Sequence, residues 1–182
     1  MNLIYGTPDT ERQLIQGCLR NDRKFQRSLY DKYKKAMFTL ASRIVKNKHT
    51  AEDVLQDTFL TVFNKLNDFK FQSTLGAWIR TILVRTSLVY LKKPNFEESL
   101  EIETHDTPVY WDESLNGNTL HQAIQELPDG YRMVFVLSEI EGYSHKEIGE
   151  ELTISEGTSK SQLFHAKKML QKKLKELNPN LN

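Results

Sequence analysis

The sequence predicts an all-α protein: two small helical domains joined by a flexible acidic linker, with a helix-turn-helix in the second. Three observations lead there. Apolar residues recur at three- and four-residue steps, interrupted by only five prolines and eight glycines in 182 residues, which is the helical period. Charge falls into blocks: residues 1–93 carry 17 Lys and Arg against 8 acids, residues 94–118 carry seven acids and no Lys or Arg, and residues 119–182 carry 8 against 9. Near the C-terminal end a capping-box pattern, Ser144 with Glu147, precedes a turn of about three residues and a longer apolar stripe.

In the first domain, residues 10–93, a helix over Thr10–Leu19 places Leu14, Ile15 and Cys18 on one side. Asp22 is suited to cap a second helix through Val45, with Phe25, Leu29, Tyr33, Met37, Leu40 and Ile44 as its stripe and a surround of Arg and Lys that reads by default as a solvated face. Thr50 with Asp53 resembles a capping box opening a third helix, whose buried stripe is Leu55, Phe59, Val62 and Leu66. Asp53, Gln56 and Asp57 share an exposed side of it. Asp53 answers the positive helix N-terminus, but Asp57 lies more than a turn inside.

Residues 67–74 form a loop with Phe69 and Phe71, and Leu75–Lys93 form a fourth helix, with Leu75, Ile79, Ile82, Thr86 and Val89 facing the core. Trp78, Thr81, Arg85, Leu88 and Lys92 run along its flank. Rings beside hydroxyls and cations suit unpaired bases and their phosphates. From composition alone, Trp78 and both phenylalanines read as core.

Residues 94–118 have no helical period and repel themselves into an extended linker. The second domain, residues 119–177, begins with a short helix through Leu120, Ile124 and Leu127 that Pro128 ends. Asp129 then caps a helix carrying Val134, Leu137 and Ile140. Ile148 and Leu152 line the first helix of the helix-turn-helix; Leu163, Ala166, Leu170, Leu174 and Leu177 line the second, which starts from Ser155. The face opposite carries Ser161, His165, Lys168 and Lys172, flanked by Lys160 and Lys167. Six lysines and no acid lie between Gly157 and Lys175, after eight acids between Glu126 and Glu156. Many helical proteins carry a lysine stripe without touching DNA, but a footprint confined to one helix, with the large apolar Phe164 on its outward half, fits phosphate binding.

The five histidines (49, 105, 121, 145, 165) are dispersed without metal-ligand spacing, Cys18 has no partner, and no glycine-rich phosphate loop occurs. The chain is therefore expected to be no enzyme, to hold no cofactor or metal, and to use Cys18 as a buried structural thiol in a reducing compartment. No apolar run approaches a membrane span, so it is expected to be soluble and cytoplasmic, without membrane insertion.

Three segments in order give the chain a resemblance to the extracytoplasmic-function group of bacterial RNA polymerase sigma factors. AEDVLQDTFLTVFNKL from Ala51 to Leu66 is similar to the family's AEDlvQetFl signature, and Phe69 to Ile82 to its FxxxxxxxxWIRxI pattern. LPDGYRMVFVLSEIEGYSHKEIGEELTISEGTSKSQLFHAKKML is similar to LP…R.vf.L…eG.s..EIAe.l.is.GTvKSrl.rAr..L. The resemblance implies a dissociable subunit that directs core polymerase to promoter DNA and helps melt it. Asp53, Gln56 and Asp57 match the segment that docks on the clamp of the largest subunit; the flap is the second implied polymerase contact. Phe69, Lys70, Phe71, Gln72, Ser73 and Thr74, with Trp78, Thr81, Arg85 and Lys92 of the following helix, match the part that opens the −10 element and holds a flipped base. Ser155, Gly157, Thr158, Lys160, Ser161, Phe164, His165 and Lys168 match the reader of the −35 element. An anti-sigma protein is a further implied partner.

The chain departs from the family pattern at several places. Arg85 stands where asparagine is common, Phe71 and Thr153 where glycine is frequent, and Ser159, Gln162 and His165 where valine and two arginines are common. A left-handed residue at Thr153 would be strained. Two rivals fit much of the same sequence. One is a stand-alone helix-turn-helix regulator that binds promoters tightly by itself; the other is a degenerate sigma homologue that occupies polymerase without reading DNA.

Overall fold

The structure, a computed structural model, describes residues 8–91 and 117–177. The linker residues 94–116, together with Lys92 and Lys93, lie outside them. The described residues form eight α-helices and no strand, and the chain divides into two compact units, residues 1–42 with 47–90 and residues 43–46 with 91–182.

The first unit contains α1 (Pro8–Leu19), most of α2 (Arg23–Val45), α3 (Lys48–Lys65), a 3-10 turn at Leu66–Asp68 and α4 (Leu75–Tyr90). Asn21, at φ 58°, turns the chain between α1 and α2, and Asp22 accepts the Lys24 N–H at 2.8 Å. A Cβ on Gly17 would sit 2.1 Å from Cγ of Phe25, so the helices approach as only glycine permits. Phe25 covers that glycine and stays partly exposed, rather than entering the core as its place in the stripe suggests. Leu14, Ile15 and Cys18 are buried as expected; burial, with Asp22 adding to it, pushes the Cys18 thiol up to about 11. The Tyr33 hydroxyl donates to Glu11 at 2.7 Å, tying α2 to α1. Tyr30 meets Phe59 of α3 edge-on at 4.8 Å.

Two expectations for α3 and α4 are corrected. Helix α3 starts at Lys48, capped by Asn47, whose side chain accepts the N–H groups of His49 and Thr50. Asn47 is at φ −92° and ψ 131°, the extended geometry of a cap, and Thr50 already lies within the helix. On α4 the buried residues are Leu75, Ile79, Leu83, Val84 and Ser87; Ile82 and Thr86 are half-buried and Val89 is 75% exposed. The contact follows the four-residue ridge 75–79–83–87, which the sequence hid behind a serine. The Ser87 hydroxyl donates to the Leu83 carbonyl at 2.9 Å, so it is buried with its polar atom satisfied.

The second unit contains α5 (Gly117–Glu126), α6 (Asp129–Phe135), a π-helical turn at Val136–Ile140, α7 (His145–Leu152) and α8 (Glu156–Leu177). Asp129 does not cap α6. The cap position is Pro128, with no side-chain bond, and Asp129 accepts from Arg132 Nη2 at 2.7 Å while Arg132 Nη1 donates to the Leu127 carbonyl at 2.6 Å. The buried guanidinium thus serves the end of the preceding helix. The π turn closes with the Glu141 N–H on the Val136 carbonyl at 3.0 Å, and Gly142, at φ 73°, releases the chain. This widening leaves Ile140 half-buried instead of in the core. Helix α8 lays Leu163, Ala166, Leu170 and Leu174 on the unit's core, and Lys173 reaches Glu126 of α5 at 2.6 Å. No helix among the described residues is long and apolar enough to cross a membrane.

Candidate functional site

The helix-turn-helix is built from α7, three turn residues and α8. Its start is the anticipated capping box: Ser144 Oγ accepts the Glu147 N–H at 3.3 Å, and Glu147 accepts the Ser144 N–H at 2.8 Å. The Ser144 hydroxyl also donates to the Glu147 carboxylate at 2.7 Å, and this bond, with that from the Ser144 N–H, holds the carboxyl below its ordinary range. Thr153 ends α7 at φ 58° and ψ 46°, the left-handed geometry that its departure from glycine made costly. The N–H groups of Thr153 and Ile154 both point at the Gly149 carbonyl. A Cβ on Gly149 would lie 2.8 Å from the Ile154 carbonyl, so the close turn depends on that glycine. Ser155 Oγ accepts the Thr158 N–H at 2.9 Å and starts α8.

Ser155, just before α8, and Gly157, Lys160 and Lys168 within it are exposed, and Thr158, Phe164 and His165 are half-buried. Ser161 is the exception to the expected outward face, only 2% exposed. A helix covered on more than one side buries positions that a single-stripe reading leaves in solvent. The lysine row is also less free than the sequence suggests. Lys160 pairs with Glu156 at 2.7 Å, Lys167 with Glu139 at 3.2 Å and Lys173 with Glu126, whereas Lys168, Lys172 and Lys175 are exposed and form no ion pair with another described residue.

A pair that sequence reasoning missed lies at the crossing of the two helices. Ser159, standing where the family has valine, is fully buried, and its hydroxyl is 2.9 Å from Nδ1 of His145 at the first position of α7. Burial, with Lys160 nearby, holds the imidazole below its ordinary 6.5. A hydroxyl introduced into a core needs such a partner. The signal was present only as a departure from the family pattern, 14 residues from the histidine that answers it.

In the first unit, Asp53, Gln56 and Asp57 are all exposed on α3. The Tyr90 hydroxyl, near the end of α4, donates to Asp57 Oδ2 at 2.7 Å, and that bond pushes the phenol up to about 12. Nothing in the sequence spacing pairs residues 57 and 90. Beside the patch, a cleft of about 390 Å³ is lined by Tyr30, Glu52, Leu55, Gln56, Phe59, Leu60 and Phe63.

The loop before α4 separates its two phenylalanines. Phe69 is buried, whereas Phe71 is 54% exposed and left-handed at φ 58°. Their rings lie 4.8 Å apart, and Phe69 is 5.4 Å from Trp78. Lys70, Gln72, Ser73 and Thr74 are exposed around them, and Thr74 Oγ1 accepts the Ala77 N–H at 3.2 Å to start α4. Thr81 is half-buried with its hydroxyl on the Ala77 carbonyl, and Arg85 is exposed. Lys92 lies outside the described residues. The core reading therefore holds for Phe69 and fails for Phe71.

Comparison with known proteins agrees with this arrangement. Residues 29–95 match the family model for sigma-70 region 2, and residues 118–170 match that for sigma-70 region 4. The ECF RNA polymerase sigma factor SigW of Bacillus subtilis is 28% identical over 91% of this chain and 97% of its own length. The ECF RNA polymerase sigma-E factor of Haemophilus influenzae is 26% identical over 92% of this chain and 97% of its own. Among solved structures, the sigma factor RpoE from Bartonella quintana, in complex with the anti-sigma factor NepR, is 25% identical with a TM-score of 0.56, covering 82% of this chain and 96% of that one. With its α3 and α4 inside the region 2 match and its α7 and the first two-thirds of α8 inside the region 4 match, the chain belongs to the extracytoplasmic-function group of sigma-70 RNA polymerase sigma factors.

Proposed function

We propose that this chain works in the cytoplasm as a non-enzymatic, dissociable subunit of RNA polymerase, using residues 10–93 to dock on core and open the −10 element and residues 119–177 to read the −35 element. Asp53, Gln56 and Asp57 present two carboxylates and an amide to the clamp of the largest subunit. The loop from Phe69 to Thr74, with Trp78, Thr81, Arg85 and Lys92, takes the melted strand. Ser155, Gly157, Thr158, Lys160, Phe164, His165 and Lys168 face the upstream duplex, with Ser161 buried beneath them. The acidic linker, shortened at its end to residue 116 because Gly117 and Asn118 already belong to α5, follows channels that nucleic acid otherwise occupies.

The observation that carries this reading is the exposed pair Asp53 and Asp57 on a chain segment that is otherwise strongly basic. A free DNA-binding regulator gains nothing from carboxylates there, because they repel phosphate. An anti-sigma partner, of the kind that the Bartonella relative is bound to, fits the same exposed surfaces. The deciding experiment is run-off transcription with purified core polymerase on a genomic promoter pool, comparing the native chain with Asp53→Lys/Asp57→Lys. The proposal expects new start sites with the native chain and loss of both core binding and those starts in the variant. Unchanged starts in the variant refute it.

A further inference from the structure

We propose that Arg12 and Phe71 together form a clamp for one unpaired nucleobase, making Arg12 of α1 a binding residue for melted DNA. This deepens the reading of the 69–74 loop and rests on it. Phe71 holds a left-handed backbone at φ 58°, a conformation that a bulky residue adopts only under constraint. Burial does not compensate it, since the ring is 54% exposed. Strain kept at an exposed ring points to use of that ring.

The surroundings complete the clamp. The Phe71 ring meets that of Phe69, tilted, at 4.8 Å, and Phe69 in turn meets Trp78 at 5.4 Å. The Arg12 guanidinium lies over the Phe71 ring, 5.6 Å from its centroid. Arg12 is exposed, while Leu14 and Ile15 beyond it are buried and Glu11 before it is held by Tyr33 and Lys32. The exposed head group therefore has room to move while the helix beneath it is fixed. Stacked bases are about 3.4 Å apart, so a base between ring and guanidinium needs about 7 Å. A swing of the Arg12 head group by roughly 1.5 Å opens that gap. Guanidinium and phenyl planes both stack on a base without reading its edge, and Lys70, exposed beside Phe71, is placed for the adjoining phosphate. Without DNA, the cation–π contact keeps the Arg12 head group over the ring, close to the place from which it would cover the far face of the base.

The test uses holoenzyme assembled from the full chain and core polymerase, on forked promoter DNA with one abasic site at a time in the non-template −10 strand. The promoter is one found by the run-off experiment. Arg12→Ala is expected to weaken binding to the intact fork about five- to a hundredfold, the range for one lost base stack, and to have no effect on the fork that lacks the clamped base. Phe71→Gly, which keeps the left-handed turn without strain, should show the same loss and the same single position. Arg12→Lys keeps the charge without the plane and should recover little. Full recovery by Arg12→Lys, equal losses on every abasic fork, or no loss at all each overturns the clamp. If native holoenzyme fails to bind the fork, the underlying reading of the loop falls with it, whereas native binding with indifferent Arg12 variants removes the clamp alone.

Discussion

Replacing Thr153 by glycine is expected to stabilise the helix-turn-helix unit. Thr153 sits at φ 58° and ψ 46° with an exposed side chain, so its substitution removes strain and little packing. An L-residue in that region costs roughly 1–2 kcal/mol. Glycine returns about 0.5–1 kcal/mol of this through the greater freedom of its unfolded chain. The net gain is about 0.5–1 kcal/mol. For a unit of this size it corresponds to a rise in Tm of roughly 2–8 °C, measured by scanning calorimetry of the full chain. Thr153→Ala separates handedness from branching, because alanine keeps the Cβ that clashes. If alanine gains as much as glycine, or glycine gains nothing, left-handed strain is not what Thr153 contributes.

Three further outcomes follow from particular contacts. Because His145 is held below its ordinary 6.5, the unfolded chain takes up a proton first as pH falls, so the second unit should lose stability below about pH 6.5 and keep it above. His145→Asn should flatten that dependence in urea titrations from pH 5 to 8. Gly149→Ala adds a Cβ 2.8 Å from a backbone carbonyl; overpacking of about 1–3 kcal/mol outweighs a helical gain of about 1 kcal/mol, and urea unfolding should show a net loss of about 1 kcal/mol. Lys160→Ala should weaken −35 binding by holoenzyme by about 1–3 kcal/mol if the side chain reads a base, and equally on all sequences if it holds a phosphate.

Helix periods, the capping box at Ser144 and the left-handed Thr153 were legible because each is local: a few neighbouring residues determine it. What failed needed a partner from elsewhere. Ser87 is polar, so an apolar stripe omits it although its bond to the Leu83 carbonyl makes burial tolerable, and a stripe rule that allows only one covered face points Ser161 outward. Phe69 and Phe71 look equivalent in sequence, and only backbone handedness sends one ring inward and the other out. The Ser159–His145 and Asp57–Tyr90 pairs join residues 14 and 33 apart, beyond any helical spacing. Thr50 reads as a cap in sequence, but Asn47, three residues earlier, takes that place with an acceptor geometry that composition alone does not rank.

The lysines of α8 carry the sharpest distinction between a polymerase subunit and an autonomous regulator. Six occur in that helix, but Glu156 at its own start already engages Lys160, and acids of the π turn and α5 engage Lys167 and Lys173. Only Lys168, Lys172 and Lys175 stand exposed without an ion pair among the described residues. Each phosphate neutralised adds about 0.9 to the slope of log affinity against log salt, so these three supply at most about 2.7. A protein making 6–10 phosphate contacts has a far steeper slope. Changing Lys168, Lys172 and Lys175 to glutamine should therefore lower the slope for duplex −35 DNA by nearly 3, while the same change at Lys167 and Lys173 should hardly move it. Measured by fluorescence anisotropy between 50 and 300 mM salt (roughly the range over which counterion release is resolved), equal effects from both sets would mean that DNA displaces the native ion pairs. In that case α8 would hold DNA with all its lysines, and the dependence of promoter binding on polymerase would need another cause.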